Sequence, residues 1–359
     1  MSTTRVEYQA LASFASQCLQ QAGASPEVAR NMAENLLAGD LLGFRTHGLR
    51  RLPYNVKQLQ QGHARGQGDP RVLTERAAVA TWDAEGLSGL YVVPKAVDRA
   101  CAMAREAGTG TIVIRRAEHA ASLAAYLERA TDQGLVISLM ASTPAQSSVA
   151  PYGAKSRVFS PNPFAIGVPT SGQPLLMDIS LSVTAAGKVR QAYDRQEQLP
   201  WPALVSAAGE ISRDPATYLE EPAGAILPLG GADLGYKGYG LCLMSEIWTM
   251  ALSNYGRLQG QQDGEYNSVM VQVMDPSAFG ELEAFKTVTD DLLRRCREAS
   301  PIDPGQPVRI PGERALALKQ EQLTHGVQLD DLTWPRLQHL AEKLDVVLPE
   351  PATAQQGVS

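Results

Sequence analysis

The chain has 359 residues, 44% hydrophobic and 19% charged, an ordinary balance for a globular protein with a substantial core. It sets 32 Lys and Arg against 38 Asp and Glu, for a formal charge of −6, and no Lys/Arg-rich block occurs, which argues against nucleic acid or an anionic membrane surface as the main partner. The opening "MSTTRVEYQALASF" lacks the layout of a signal peptide, and no apolar run approaches the roughly 18 residues of a membrane span.

In chain order, Leu11, Phe14, Ala15, Cys18 and Leu19 recur with helix period. "ASPEVARNMAENLLAGDLLGF" predicts a second helix with Ser25 as N-cap, Pro26 in the first turn, and Val28, Met32, Leu36 and Leu37 on one face. A third helix runs through Leu52, Val56 and Leu59, and Thr46 to Arg51 is either its kinked start or the loop feeding it. Beyond the turn-rich "GHARGQGDPR" the pattern changes to an alternation: strand in "RAAVATWDAEG", helix in "VVPKAVDRACAMAREAG", strand in "TGTIVIR", helix in "SLAAYLERATDQ", strand in "GLVISLMAS". The proline-rich stretch up to "LLMDIS" predicts loops and short strands. "YGLCLMSEIWTMALSNYG" reads as a strongly apolar helix with Lys237 immediately before it. A strand in "YNSVMVQVMDPSAF" and a helix in "ELEAFKTVTDDLLRRCREA" follow, then a helix-rich C-terminal piece and a frayed tail, "EPATAQQGVS".

The four cysteines, Cys18, Cys101, Cys242 and Cys296, form no CxxC and lie in apolar contexts, so buried thiols in a reduced, cytoplasmic protein are expected. The five histidines form no HxH or HxxxH pair, so no metal site is expected. GxGxxG, the P-loop, GxSxG and HExxH are all missing.

What remains is a set of polar islands. "GFRTHGLRRLPYN" holds His47, able to move a proton near neutral pH, and Arg51, a fixed cation with a fork of donors suited to a carboxylate. On a helix the two would share a face; the plainer reading is a capping histidine and a helix-start arginine paired with an acid. His119, in "RRAEHAASLAAYL", stands between a strand and a helix, where amides favour anions, and is equally readable as a structural histidine. Asp178 ends an apolar strand and is followed by Ser180, Ser182, Thr184 and Lys188, groups suited either to phosphate or ribose or to a capping loop. "LGGADLGYKGYGLCLMSEI" combines close-approach glycines with Lys237, or is simply a glycine-rich helix entry.

In this order the islands resemble the second malate/L-lactate dehydrogenase family, which also includes ureidoglycolate, sulfolactate and diketogulonate oxidoreductases and cyclic-imine reductases. The likeness is carried by "THGLRRLP", "AEHAAS", "SPNPFAIGVP", "DISLSVTAAGK", "GYKGYGLCLMSEI" and "VRIPGER", and spans nearly the whole chain. It implies an α/β, non-Rossmann nicotinamide-binding fold. A helical N-terminal part, 1–75, would be joined by 305–359 packing against it, and 76–304 would form a mixed α/β cofactor-binding and substrate core. It implies an NAD- or NADP-dependent dehydrogenase, usually a homodimer, moving hydride to or from C2 of a small carboxylate-bearing 2-hydroxy or 2-oxo acid. The alternatives are an NADPH-dependent reductase of a cyclic imino acid and a non-catalytic descendant.

By the same resemblance His47 is the acid/base in some members and His119 in others, and Arg51 binds the substrate carboxylate. Cofactor contacts fall on Asp178, Ile179, Ser180, Leu181 and Ser182, on Tyr236 with Lys237, and on Gly312 with Glu313; Lys188 could receive a 2′-phosphate. Three departures touch the substrate pocket: Asn55, with Tyr54 one residue earlier, stands eight residues after His47 where the family often has tyrosine, Ala120 and Ala121 follow His119 where a glycine is usual, and "SPNP" replaces "GTNP".

Overall fold

The computed structural model describes residues 4–259 and 266–351. Its centre is a seven-stranded sheet in the order Arg71–Glu75, Val79–Asp83, Thr109–Ala117, Asn267–Met274, Val136–Ser142, Phe164–Val168, Leu175–Ile179. Only Val79–Asp83 and Thr109–Ala117 pair in parallel, joined by the helix Gly89–Ala107; every other neighbouring pair is antiparallel. The mainly antiparallel order explains the missing glycine fingerprint, which belongs to parallel doubly wound sheets.

Alternation along the strands assigns the two faces. Ile112, Ile114, Ile137, Leu139, Val269 and Val271 enter the large core, together with the inner faces of the N-terminal helices. Val113, Met140 and Met270 point the other way and form a small cluster against which Met244 of the helix Gly231–Glu246 packs. The helix Gly89–Ala107 lies so close to the sheet that a Cβ on Gly110 would come 2.3 Å from the Ala100 carbonyl oxygen.

The helices Tyr8–Gln21, Pro26–Leu41 and Leu52–Gln60 carry the expected apolar faces, and the Ser25 hydroxyl accepts the Val28 amide. The C-terminal helices Glu313–His325 and Thr333–Leu344 pack back on them. Thr4–Val6 pairs antiparallel with Val327–Leu329, and Gln322 donates to the carbonyls of Asp40 and Leu41, each at 3.0 Å. A small sheet of Leu204–Val205, Ile211–Ser212 and Ala225–Ile226 and the helix Ala186–Asp194 build a satellite with its own apolar cluster.

Several local expectations change in three dimensions. The helix expected in "SLAAYLERATDQ" is a 3-10 turn, Leu123–Tyr126, followed by a short helix, Glu128–Thr131, and Asp178 accepts the Ala124 amide at the start of the turn. Lys237 lies inside the helix Gly231–Glu246 rather than before it, since Gly230 at φ +100 starts the helix about two turns earlier. That apolar helix is buried on one side only: Cys242 and Ser245 are buried, whereas Leu234, Tyr236, Leu243 and Ile247 are each at least 40% exposed. Cys18, Cys101 and Cys242 are buried, but Cys296 is exposed on the outer face of the helix Leu282–Glu298. Of the expected frayed tail, residues 352–359 lie outside the described residues. Among the described residues no helix is long and apolar enough to cross a membrane.

Candidate active site

Of the two readings of Thr46 to Arg51, the structure has the kinked start of the third helix. Two 3-10 turns, Arg45–His47 and Leu49–Arg51, meet at Gly48 and feed the helix Leu52–Gln60. The break at Gly48 lets His47 and Arg51 reach one place from separate turns. His119 arrives from the end of the strand Thr109–Ala117, and its ring stacks on that of His47 with centroids 5.8 Å apart and planes 14° from parallel. The Arg51 guanidinium lies 4.6 Å over the Tyr54 ring and close enough to act on both imidazoles.

The electrostatics follow from that crowding. Burial first, and then the Arg51 charge, lowers His47 to about 4. Burial, Arg51 and His47 hold His119 well below the usual imidazole range. Both rings are therefore neutral at pH 7. The Ala121 amide donates to His119 Nδ1 at 2.9 Å, which places the proton of the neutral ring on Nε2. His47 Nδ1 lies 3.0 Å from the Thr46 hydroxyl, a partner that can either donate or accept.

The His119 loop is braced on all sides. Asn267 Oδ1 accepts the Ala120 amide at 3.0 Å, and the fully buried Tyr126 donates its hydroxyl to the Ala120 carbonyl at 2.7 Å. Tyr126→Phe keeps the ring but orphans that carbonyl, so it should cost about 1–2 kcal/mol of stability in denaturant unfolding. Among these loop contacts the sequence offered only the apolar setting of Tyr126.

Asp178 is part of the same assembly. Its Oδ2 accepts from the Ser122 hydroxyl at 3.1 Å and the Ala124 amide at 2.9 Å, three and five residues after His119. Burial pushes this carboxyl up, against the hydrogen bonds that stabilise its charge. The segment it opens leaves the sheet next to the Ser122–Ala124 turn that follows His119. Ile179 is 38% exposed, whereas Leu181 is buried with its amide bonded to the Pro161 carbonyl and its carbonyl to the Leu229 amide. Ser180 and Ser182 share a hydroxyl contact at 3.3 Å, and Ser182 also donates to the Thr184 carbonyl.

Tyr236 and Lys237 join through that scaffold. Ser182 bridges Pro228, and Gly238 donates to the Leu229 carbonyl, on which a Cβ at Gly238 would intrude to 2.3 Å. Tyr236 stands exposed, edge-on to Tyr152, with Lys237 Nζ 5.8 Å from its ring. Lys188 is exposed in the first turn of the helix Ala186–Asp194.

Gly312 sits at the other end of the strand Leu175–Ile179, at φ +99, where a Cβ would come 2.8 Å from the Leu176 amide nitrogen. Glu313 is tied to the Ile310 amide and to Arg297. A cavity of about 330 Å³ borders Glu313, Leu175 and Arg297, away from the imidazole pair.

The profile described as Malate/L-lactate dehydrogenase matches residues 6–338. The chain belongs to this family. Its relatives include the malate/(S)-sulfolactate dehydrogenase of Methanothermus fervidus, 29% identical over 92% of this chain and 95% of that one. A solved malate dehydrogenase from Entamoeba histolytica shares the fold at a TM-score of 0.91, with 23% identity over 97% of this chain and 100% of that one. The delta1-piperideine-2-carboxylate reductase of Pseudomonas syringae pvar. tomato superposes at 0.83 with 28% identity, covering 94% of this chain and 100% of that one. The protein is thus an oxidoreductase from a family of hydroxy-acid dehydrogenases and related reductases.

Proposed function

We propose that this family member is an NAD(P)-dependent oxidoreductase acting between a small 2-hydroxy acid and its 2-oxo acid. The observation that carries the reading is the stacked His47–His119 pair beside Arg51, joined to Asp178 through Ser122 and Ala124. The residues present suit a dinucleotide. Hydroxyls and backbone run on from Asp178, and exposed Tyr236 and Lys237 lie over the same scaffold. When bound, the nicotinamide would supply or accept the hydride, chemistry that belongs to the cofactor.

The chain's own residues do the rest. Arg51 grips the substrate carboxylate through two parallel N–H donors and so fixes C2. In oxidation, His47 takes the proton of the C2 hydroxyl as the C2–H electron pair departs as hydride. In reduction it returns that proton to the C2 oxygen. His119 cannot be the base without giving up its Ala121 bond, so its Nε2–H serves as a donor to the same oxygen.

A base that becomes protonated only near pH 4 fixes the pH profile. The kcat/KM for hydroxy-acid oxidation should stay level from neutrality down to about pH 5 and fall as His47 takes up its proton, while reduction gains over the same range. A break near pH 6.5, the ordinary imidazole value, would count against this environment for His47.

The direct test is fluorescence titration with NADH and NADPH, followed by turnover of a panel of 2-oxo acids and cyclic imines with each. Failure to bind either cofactor would favour a non-catalytic descendant. A second reading, reduction of a cyclic imino acid, is supported by the likeness to the piperideine-carboxylate reductase. A cyclic imino acid turned over faster than its open-chain 2-oxo counterpart would select it. The exposed face of the apolar helix, with Leu234, Leu241 and Trp248 at seven-residue spacing, supports a homodimer, which light scattering will show as twice the chain mass.

A further inference from the structure

We infer that Asp40 is a positioning residue for the turn that carries His47 and Arg51. It stands at the C-terminal end of the helix Pro26–Leu41 and is 3% exposed. Its Oδ2 accepts the Leu49 amide at 2.7 Å, between the two functional side chains and nine residues along the chain. That amide opens the second 3-10 turn, where it has no partner within its own turn. The carboxylate also lies flat against Gly48: a Cβ there would come 2.2 Å from Oδ1 and 2.4 Å from Oδ2. One residue earlier on the helix, a Cβ on Gly39 would come 3.1 Å from the His47 carbonyl oxygen. Gly39, Asp40 and Gly48 thus form a close-packed seat for the break between the turns.

The seat is held from behind by the C-terminal helix. Gln322 Nε2 donates to the Asp40 carbonyl at 3.0 Å, and its Oε1 accepts the Gln328 amide at 2.8 Å. Gln328 in turn accepts from Arg45, within the first turn, at 2.8 Å. Burial pushes the Asp40 carboxyl up to about 7, with Asp330 adding to the shift and the Leu49 amide and Arg45 opposing it. Protonated or ionised, the group keeps an acceptor oxygen for Leu49, and an asparagine in its place keeps one too.

A backbone shift of about 1 Å at a site like this can cost on the order of 100-fold in rate. The kinetic arm of the test rests on the oxidoreductase reading; a second arm does not. Asp40→Ala, Asp40→Asn and Gly48→Ala are compared with the unsubstituted protein. The measurements are kcat and KM, NAD(P)H affinity, and hydrogen exchange of the backbone amides over residues 45–52. In Asp40→Ala, kcat/KM should fall by about 10- to 100-fold with cofactor affinity within about threefold. Exchange over 45–52 should quicken while the central sheet stays protected. Asp40→Asn, which returns both the volume and an acceptor oxygen for the Leu49 amide, should restore both. Gly48→Ala should resemble Asp40→Ala, because its methyl displaces the carboxylate.

A folded Asp40→Ala with unchanged exchange over 45–52, or with kcat/KM within about threefold of the unsubstituted protein, overturns the inference. So does an Asp40→Asn no better than alanine. Should Asp40→Ala not fold, unchanged exchange in Gly48→Ala overturns it in the same way. Failure of the oxidoreductase reading looks different. There the unsubstituted protein neither binds NAD(P)H nor turns over any substrate, and the exchange comparison still decides the role of Asp40.

Discussion

His47→Ala is expected to lower kcat by about 10²- to 10⁴-fold, the usual worth of a positioned acid/base, while leaving NAD(P)H affinity nearly unchanged. The separation of the two effects follows from where the groups sit. His47 belongs to the 3-10 turn Arg45–His47, whereas the residues proposed for the cofactor lie on the strand Leu175–Ile179 and beyond, on the helix Gly231–Glu246, and at Gly312. Little backup is available from the stacked neighbour, because His119 Nδ1 is already occupied by the Ala121 amide. Losing the ring does expose the His119 face to water, but that changes a pKa rather than supplying a second base. Steady-state kcat together with a fluorescence titration checks both halves. A variant turning over at the normal rate would transfer the proton role to His119.

Arg51→Lys should raise KM for carboxylate substrates strongly. Lysine keeps the positive charge but not the planar fork, so one charge-assisted hydrogen bond is lost. At about 1.5–3 kcal/mol for such a bond, kcat/KM should drop by about 10- to 150-fold. The Arg51 guanidinium is also seated on the Tyr54 ring, a contact that suits its flat, weakly hydrated group better than an ammonium. An internal control comes from substrate analogues whose carboxylate is capped as an amide. These are poor substrates throughout, and the difference between arginine and lysine should vanish for them. An unaltered KM for the free acid would show that the carboxylate is held elsewhere.

Much of the local structure was legible because it depends on neighbours in the chain. Ser25 caps and Pro26 starts a helix wherever an apolar face follows, and Leu11, Phe14, Cys18 and Leu19 pack on one side because 3.6 residues complete a turn. The order of the motifs was enough to place the chain in its family, and the absence of GxGxxG agreed with a mainly antiparallel sheet. Other features were hidden because their causes lie far away in sequence. Nothing near residues 122–126 announces that Asp178, more than fifty residues away, will accept the Ser122 hydroxyl and the Ala124 amide. The stretch around Tyr236 reads as a strongly apolar helix, but only the fold shows that one side of it meets the sheet at Met140 and Met270 while the other is exposed. Cys296 resembles the other three cysteines in composition, but its helix turns it to solvent.

The amino-acid order by itself determined which side chains were available: two imidazoles, a guanidinium, a strand-ending carboxylate and glycines where backbones must touch. Only the tertiary structure decided that His47 and His119, 72 residues apart, would share a stack at 5.8 Å and stay neutral there. The reason is that proximity and desolvation are properties of the packed surroundings. The buried Asp40 beneath Gly48, the Asn267 side chain under the His119 loop and the nearby Arg51 charge all reach the site through space, so no window of sequence contains them together.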